Sequence, residues 1–311
     1  MYKKLSKIST VGMSHEEWLE HRRNTIGGSD ASAILGMNAY SSPYSVWAEK
    51  LGKLPPKEDN EAMRIGRDLE AYVAQRFTEK TGKKVRRENN ILWNPDFPFA
   101  HANVDRMVIG EDAGLECKTT SSLNLTKFKN GEFPDHYYVQ CVHYLMVTGC
   151  KRWYLGVLVL GKGFFDFVIE RDEEEIKALA KSEADFWEYV KSKTPPAVDG
   201  AESTSKTIST IFPNSNTETV NLFAYEDSLK QYLAIGKQIK ELKTLQDEMA
   251  NKVKSFMSEA GKGESQNYKV SWPTATKSTF DHKRFAEDHP NVDLTNYYKI
   301  SPYRTFKVTE R

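Results

Sequence analysis

The most constraining feature of this sequence is a pair of strand-like segments that carry charge where a buried strand normally carries apolar side chains. Residues 104–120 read VDRMVIGEDAGLECKTT. Asp105 lies in the first segment, and Glu116 and Lys118 lie two residues apart in the second. Because side chains alternate along a strand, Glu116 and Lys118 share one face. A buried face with these two charges is costly to desolvate, so the segment needs a compensating interaction.

The turn IGEDAG between the two segments predicts an antiparallel return that places Glu116 across from Asp105. Two converging carboxylates repel each other unless a hard divalent cation binds there, and Mg²⁺ is typically held by one or two carboxylates with phosphate oxygens. Lys118 beside that metal would orient, or help to deprotonate, a water that the metal has acidified. The alternative is a surface hairpin with an ordinary Glu–Lys pair, because so short a motif often arises by chance.

The order of predicted elements favours an α/β core followed by an α-rich C-terminal part. Helices are predicted over 14–23, 42–54, 61–81, 137–149 and 172–193, the first capped by Ser14 with Glu17 three residues on. Strand-like runs KVRREN, ILWNP, FAHANVDRMVIG and GLECKTT precede the fourth helix, and RWYLGVLVL and GFFDFVIE follow it. This pattern predicts a core domain over 1–193, a Ser/Thr/Pro-rich linker over 194–219, and a C-terminal region over 220–311.

The C-terminal region is predicted to hold a long helix, 226–257, followed by a short strand, a small helix and an extended basic tail. Apolar residues form a stripe on one side of this helix: Leu229, Tyr232, Ile239, Leu242, Leu245, Met249 and Val253. Such a stripe usually packs on the parent domain, and the alternative is a contact with another protomer or a partner protein.

Composition limits the classes of protein to consider. A chain of 311 residues can form one sizeable core with an appendage. With 28% charged residues and no long apolar run, a soluble cytoplasmic protein without a secretory signal is expected. Three cysteines without a CxxC pair indicate reduced thiols and argue against a zinc or iron–sulfur site. A net charge of +1 means that any site for a polyanion must be local.

Five segments together resemble a known family. The spacing VD-(x10)-ECK resembles the core motif of PD-(D/E)XK nucleases, with Val104 where a proline often stands. The surrounding segments resemble the lambda-exonuclease branch, and most closely the YqaJ-like phage recombinase/exonuclease family. They follow the family order within residues 14–193: WLEHRRNTIGGSDAS, IGRDLEAYVAQRF, HANVDRM and YYVQCVHYLMVTG. The resemblance implies a PD-(D/E)XK core, a central mixed sheet flanked by helices.

The resemblance also implies roles for particular residues. Metal ligands would be Asp105, Glu116, the backbone carbonyl of Cys117 and Glu70, and Lys118 would position the nucleophilic water. Gly66, one turn before Glu70, would allow a close approach of the strands, and Gln140 would hydrogen-bond near Lys118 and the water. The alternatives are a solvent-facing Glu70 paired with Arg67, and a Gln140 that is an ordinary polar residue of a helix face.

A Gly-Gly-Ser turn at 27–29 offers backbone N–H groups and a hydroxyl to an anion. By resemblance, Arg22 and Ser29 would bind the terminal 5′-phosphate of the digested strand, and Arg23 is an alternative to Arg22. Ser29 could instead act only as a helix N-cap. His101 is expected to be a structural residue, because hard Mg²⁺ prefers oxygen ligands.

The function implied by the resemblance is 5′→3′ digestion of double-stranded DNA ends, with Mg²⁺ or substituting Mn²⁺, and two ions. The product, a 3′ single-stranded tail, would load a RecT- or Red-beta-like annealing protein, and a homotrimer is expected. The alternatives are a restriction-type or structure-specific endonuclease on the same core, and a catalytically silent DNA-binding scaffold. The segment at 121–138, with Lys127, Phe128 and Lys129, would contact DNA or form a solvated loop.

Overall fold

The computed structural model describes residues 5–56, 59–121, 125–299 and 303–310. Within these residues the first part of the chain contains, in order, β1 (Ser6–Ser9), α1 (His15–Arg23), α2 (Gly28–Ile34), α3 (Pro43–Lys50), α4 (Glu61–Thr81), β2 (Val85–Arg87), β3 (Asn90–Trp93), β4 (His101–Asn103), β5 (Arg106–Val108), β6 (Ala113–Thr120), α5 (Leu125–Lys129), α6 (Asp135–Thr148), β7 (Arg152–Val159), β8 (Gly163–Glu170), α7 (Glu173–Ser192) and α8 (Glu202–Ile211). A second compact unit begins at Pro213 and contains α9 (Glu226–Met257), β9 (Lys262–Glu264), β10 (Lys269–Ser271) and α10 (His282–Asp288).

A five-stranded mixed sheet, in the order β2-β5-β6-β7-β8, organises the first unit. Strand β6 pairs antiparallel with β5 and parallel with β7, and α6 makes the crossover between the two parallel strands. Side chains of α6 pack on one face of the sheet, in one cluster with Trp153 and Leu155 of β7. Phe77 of α4 packs on the other face with Leu115 and Tyr154. This mixed sheet flanked by helices confirms the predicted α/β class.

The helix ends follow local chemistry. Ser14 and Glu17 form the predicted capping box at the start of α1. Gly82 and Gly149 end α4 and α6 in the left-handed conformation, with φ of 72° and 73°, which a residue without a Cβ adopts at little cost.

The pattern of the run FAHANVDRMVIG predicts one strand, whereas the structure divides the run into two. β4 pairs with β3 in a separate three-stranded sheet, β1-β3-β4, and β5 pairs with β2 and β6 in the five-stranded sheet. The break falls at Val104 and Asp105. Both halves are apolar enough to be strands, so the sequence pattern does not show that they belong to different sheets.

The predicted linker at 194–219 contains a helix. Residues of α8 pack on α3, where Thr204 Oγ1 donates a hydrogen bond to Ser42 Oγ at 2.7 Å and Ile208 contacts the cluster around Trp47. The first unit therefore extends to Phe212 rather than to residue 193. Serine and threonine are frequent in linkers, but here Thr204 and Thr207 are buried.

The second unit contains the predicted long helix, α9, with Met257 as its one buried residue. Phe306 contacts Tyr232 of α9 at a ring-centroid distance of 5.4 Å, and β9 and β10 form a hairpin. Within this unit most of the apolar stripe of α9 is exposed, namely Tyr232, Ile239, Leu242, Leu245, Met249 and Val253. None of the described helices is long and apolar enough to cross a membrane.

The predicted reason for Gly66, a close approach of neighbouring strands, is wrong. A Cβ built on Gly66 meets no heavy atom within 4 Å, so this position of α4 has room for a side chain. Gly114 of β6 is different, because a Cβ there collides with the ring of Trp153, which is fully buried.

These two glycines give a matched pair of stability predictions. Gly114→Ala is expected to lower the free energy of unfolding by about 1–3 kcal/mol, because the enclosed Trp153 ring cannot move aside without strain. Gly66→Ala is expected to raise it by roughly 0.5–1 kcal/mol, since alanine loses less conformational entropy than glycine inside a helix. Denaturant unfolding of both variants checks this, and equal effects would contradict it.

Candidate functional site

The β5–β6 hairpin brings Asp105 and Glu116 together as predicted. Its register pairs Arg106 with Leu115, so Asp105 stands opposite Glu116 one residue beyond the ladder. Asp105 Oδ2 accepts a hydrogen bond from the Cys117 amide at 2.8 Å. Since the N–H and C=O of one strand residue point to the same side, the carbonyl of Cys117 also points to the β5 side of β6.

The two carboxylates form an acidic pair whose charge is only partly compensated. Burial, and then the negative charges of Glu116 and Glu70, raise the pKa of Asp105 well above its usual range, although Lys118 acts in the opposite direction. Glu116 is 3% exposed, and its Oε2 is buried with no hydrogen-bond partner among the described residues. Buried carboxylate oxygens are normally satisfied, so this pair has the chemistry of a site for a hard cation.

Lys118 and Gln140 hold the other oxygen of Glu116. Lys118 Nζ lies 2.6 Å from Glu116 Oε1 and donates to Gln140 Oε1 at 2.8 Å. Gln140 Nε2 donates to Glu116 Oε1 and to Tyr144 OH, both at 2.8 Å. Gln140 is therefore not an ordinary residue of a helix face, since it is buried and fixes both ends of the Glu116–Lys118 pair.

The charge of Lys118 is secured by its surroundings. Burial by itself would lower the pKa of Lys118, but the negative charges of Glu116 and Asp105 raise it above its usual value. The side chain is an ammonium with three N–H donors, which suits it to orient a water or a phosphate oxygen. The ring of Tyr137 lies 5.4 Å from Lys118 Nζ and covers it from another side.

The side chain of Glu70, on α4, points toward this site but accepts a hydrogen bond from an arginine. Arg106 Nη1 donates to Glu70 Oε1, and Arg87 lies 3.7 Å from the same oxygen. The alternative partner, Arg67, instead pairs with Asp59. Among the described residues no three acidic, histidine or cysteine side chains are arranged as a metal centre, so Asp105 and Glu116 form a pair without Glu70.

Arg22 and Ser29 are in direct contact. Arg22 Nη2 donates to Ser29 Oγ at 2.9 Å, whereas the neighbouring Arg23 is exposed. Ser29 is not a helix cap, because the N-cap of α2 is Gly27 and the amide of Gly27 is satisfied by the carboxylate of Asp30. The Ser29 hydroxyl is thus exposed beside a guanidinium at the start of α2.

The Gly-Gly-Ser turn packs on the helix that carries Gln140. A Cβ built on Gly28 would lie 2.7 Å from the Tyr144 ring and 3.2 Å from Gln140 Cγ. Only a glycine permits this approach of α2 to α6. The turn that carries Ser29 is consequently packed on the glutamine that hydrogen-bonds Glu116, although the two are far apart in sequence.

The remaining candidates are placed as follows. Residues 122–124 of the segment 121–138 lie outside the described residues. Lys127 and Lys129 are exposed on α5, while Phe128 is buried against Phe165 and Phe167. His101 is a buried structural residue that hydrogen-bonds Thr25 Oγ1 at 2.8 Å, and burial lowers its pKa to about 3.

Two residues of the site do not stand out in the sequence. Arg106 is next to Asp105 in the sequence, but nothing in its position indicates that it binds Glu70 of α4. Tyr144 follows Gln140 by four residues, the spacing that places two side chains on one helix face, and this spacing was the available signal.

A family model and a relative that matches along almost the whole chain agree on one family. Residues 17–151 match the model of the YqaJ-like viral recombinase domain. The uncharacterized protein YqaJ of Bacillus subtilis (strain 168) is 39% identical over 304 residues, which cover 96% of this chain and 95% of that protein. An alkaline exonuclease (LHK-Exo) from Laribacter hongkongensis is 20% identical, with 57% of this chain and 93% of that chain covered and a TM-score of 0.49. A phage-related exonuclease from Haemophilus somnus 129PT is 14% identical, with 54% and 96% covered and a TM-score of 0.43. By its match to the domain model and its similarity to YqaJ along almost its whole length, the chain belongs to the family of YqaJ-like viral recombinases.

Proposed function

We propose that this protein is a Mg²⁺-dependent exonuclease that digests one strand of linear double-stranded DNA from the 5′ end. The observation that carries the proposal is the Asp105–Glu116 pair, with its unsatisfied carboxylate oxygen and the Lys118 ammonium beside it. Membership of a viral recombinase family supports a role on DNA in recombination.

The residues present fit a divalent cation. Asp105 and Glu116 supply carboxylate oxygens, and the Cys117 carbonyl points to the β5 side of β6. Oxygen ligands favour Mg²⁺, and Mn²⁺ would substitute for it. Bound there, two such ions would acidify the attacking water and stabilise the leaving oxygen of the phosphodiester. Glu70 would join these ligands once its carboxylate leaves Arg106.

The chain's own residues position the reactants. Gln140 holds Lys118 Nζ beside Glu116, where the ammonium would orient the attacking water and contact the scissile phosphate. The positive charge of Lys118 stabilises the negative charge that develops on the phosphate during attack. Tyr144 in turn fixes Gln140.

The Arg22–Ser29 contact supports recognition of a 5′-terminal phosphate. A guanidinium and an exposed hydroxyl are suited to phosphate oxygens, and they lie next to the helix that carries Gln140. Binding of the terminal phosphate would hold the next phosphodiester near the carboxylate pair. Exposed Lys127 and Lys129 would add contacts to the DNA backbone that do not depend on sequence.

The assembly and partner belong to the same proposal. The family resemblance supports a homotrimer that remains on one DNA end in the host cytosol. The 3′ single-stranded tail would load a RecT- or Red-beta-like annealing protein.

Lys118→Ala is expected to lower the rate of digestion of linear duplex in Mg²⁺ by at least about 10²-fold, since it removes the group that orients the water. Release of acid-soluble nucleotides from labelled duplex measures this. Lys177→Ala, which alters an exposed lysine of α7 paired with Glu174, is the control and should retain full activity. Undiminished digestion by Lys118→Ala would contradict the mechanism.

Asp105→Asn is expected to raise the Tm in chelator at neutral pH and to abolish the increase in Tm that Mg²⁺ causes in the wild-type protein. The raised pKa means that the charged carboxylate disfavours folding above the ordinary pKa of an aspartate, so its removal stabilises the protein there. Asparagine still accepts the hydrogen bond from the Cys117 amide. Thermal unfolding with and without Mg²⁺ tests this, and an unchanged Mg²⁺ effect would exclude Asp105 as a ligand.

Linear duplexes with 5′-phosphate or 5′-hydroxyl ends, and a closed circle of the same sequence, separate end-dependent digestion from internal cleavage. Linear DNA with 5′-phosphates should be degraded fastest, and the circle should remain intact because it offers no end to Arg22 and Ser29. Gel analysis of the three substrates gives the result, and cleavage of the circle would favour an endonuclease.

A further inference from the structure

Asp30 is a buried carboxylate that neither the carboxylate pair nor the proposed phosphate contact uses directly. It is 6% exposed and lies in the first turn of α2. Its Oδ2 accepts from Lys50 Nζ at 2.6 Å and from the Gly27 amide at 3.0 Å, and its Oδ1 lies 3.4 Å from Arg22 Nη2. Burial by itself would raise the pKa of Asp30, but the charges of Lys50 and Arg22 hold it well below its usual range.

Lys50 connects three elements of the fold through hydrogen bonds of its ammonium group. Its side chain is 1% exposed and reaches from the end of α3 to Asp30 and to the backbone carbonyl of Arg22, at 2.6 Å from each acceptor. The last turn of α1, the Gly27–Ser29 turn and α3 are therefore held by one ammonium and one carboxylate. Stability alone is a weak reason for such a pair, because buried ion pairs often stabilise a fold no more than apolar side chains of similar volume.

This arrangement restrains the side chain of Arg22. Its Nη2 serves both Ser29 and Asp30, and Nη1 and Nε make no hydrogen bond to the described part of the chain. The guanidinium also lies 4.9 Å from the ring centre of Trp18, close enough for a cation–π contact. Bidentate binding of a phosphate uses two N–H groups of one planar guanidinium.

We infer that the Asp30–Lys50 pair is a positioning device that aims Arg22 and the Ser29 hydroxyl at a phosphate and so sets the preference for 5′-phosphorylated DNA ends. This rests on the proposed function of the Arg22–Ser29 contact. Asp30 holds the side chain of Arg22 and the Gly27 amide, and Lys50 holds the carbonyl of Arg22 and the carboxylate itself. Neither residue touches the DNA.

The test compares kcat/KM on duplexes with 5′-phosphate and 5′-hydroxyl ends. The ratio of the two values is independent of the amount of folded enzyme, so a loss of stability cannot change it. Asp30→Asn leaves Lys50 as an unpaired buried charge, and for that reason the double variant Asp30→Asn/Lys50→Met is measured as well. Asparagine still accepts from the Gly27 amide, so the double variant removes the two charges and the hold on Arg22 while the turn keeps its cap.

The double variant is expected to lower the phosphate preference by roughly tenfold or more through a higher KM on phosphorylated ends, because a misaligned arginine binds the phosphate poorly. The value of kcat at saturation should stay near that of the wild type. A preference equal to the wild type's would overturn the inference.

Arg22→Ala keeps the two proposals apart. If it abolishes the phosphate preference while the double variant retains it, recognition by Arg22 stands and the positioning role of Asp30 and Lys50 is wrong. If Arg22→Ala leaves the preference unchanged, the assignment of Arg22 to the 5′-phosphate fails, and the inference fails with it. Both variants losing the preference supports both assignments.

Discussion

The arrangement of the site depends on Glu116, a buried carboxylate on the central strand β6. One oxygen is satisfied by Lys118 and Gln140, and the other has no partner in the described chain. An ionised carboxylate is costly to bury, and a single lysine partner compensates only part of this cost. Asp105, placed across from it by the hairpin register, adds a second carboxyl group, and burial and the negative charges of Glu116 and Glu70 raise its pKa. Ionising both carboxyl groups is therefore unfavourable, and a divalent cation bound beside them would offset this cost.

The parallel crossover brings the rest of the site to Glu116. Because α6 connects β6 to β7, it lies across the sheet face on which Glu116 and Lys118 project, and Gln140 reaches both. Gly28 then lets α2 approach α6 closely enough for its turn to touch Gln140 and Tyr144. On the proposed function, this helix contact connects the place of phosphate recognition to the place of hydrolysis. Their spacing is set by core packing rather than by a mobile loop.

The parts of this structure that depend on short-range patterns were predictable from the sequence. The capping box of α1, the span of α4 and the hairpin register that pairs Asp105 with Glu116 all follow from residues close in the chain. The roles of Glu70 and Gln140 came from resemblance, and the sequence could not show that Arg106 binds Glu70, because that contact joins residues 36 positions apart. The division of FAHANVDRMVIG between two sheets is also a tertiary effect. The same holds for α8, whose threonines look like linker residues until Ser42 is placed against them.

That division of one apolar run explains how Asp105 reaches the site. A continuous strand would hold its side chain in the regular alternation of a single sheet, with its backbone bonded on both sides. Here β4 ends at Asn103 in one sheet and β5 begins at Arg106 in another, so Asp105 lies in the bend between them. Its carboxylate can therefore turn toward β6 and accept the Cys117 amide, which is the amide that extends the ladder beyond Leu115. The bend also places Arg106 where its guanidinium bonds the carbonyl of Asp105 and the carboxylate of Glu70. One change of sheet thus positions the carboxylate of Asp105 and the arginine that binds Glu70, and both are held against the regular strand β6.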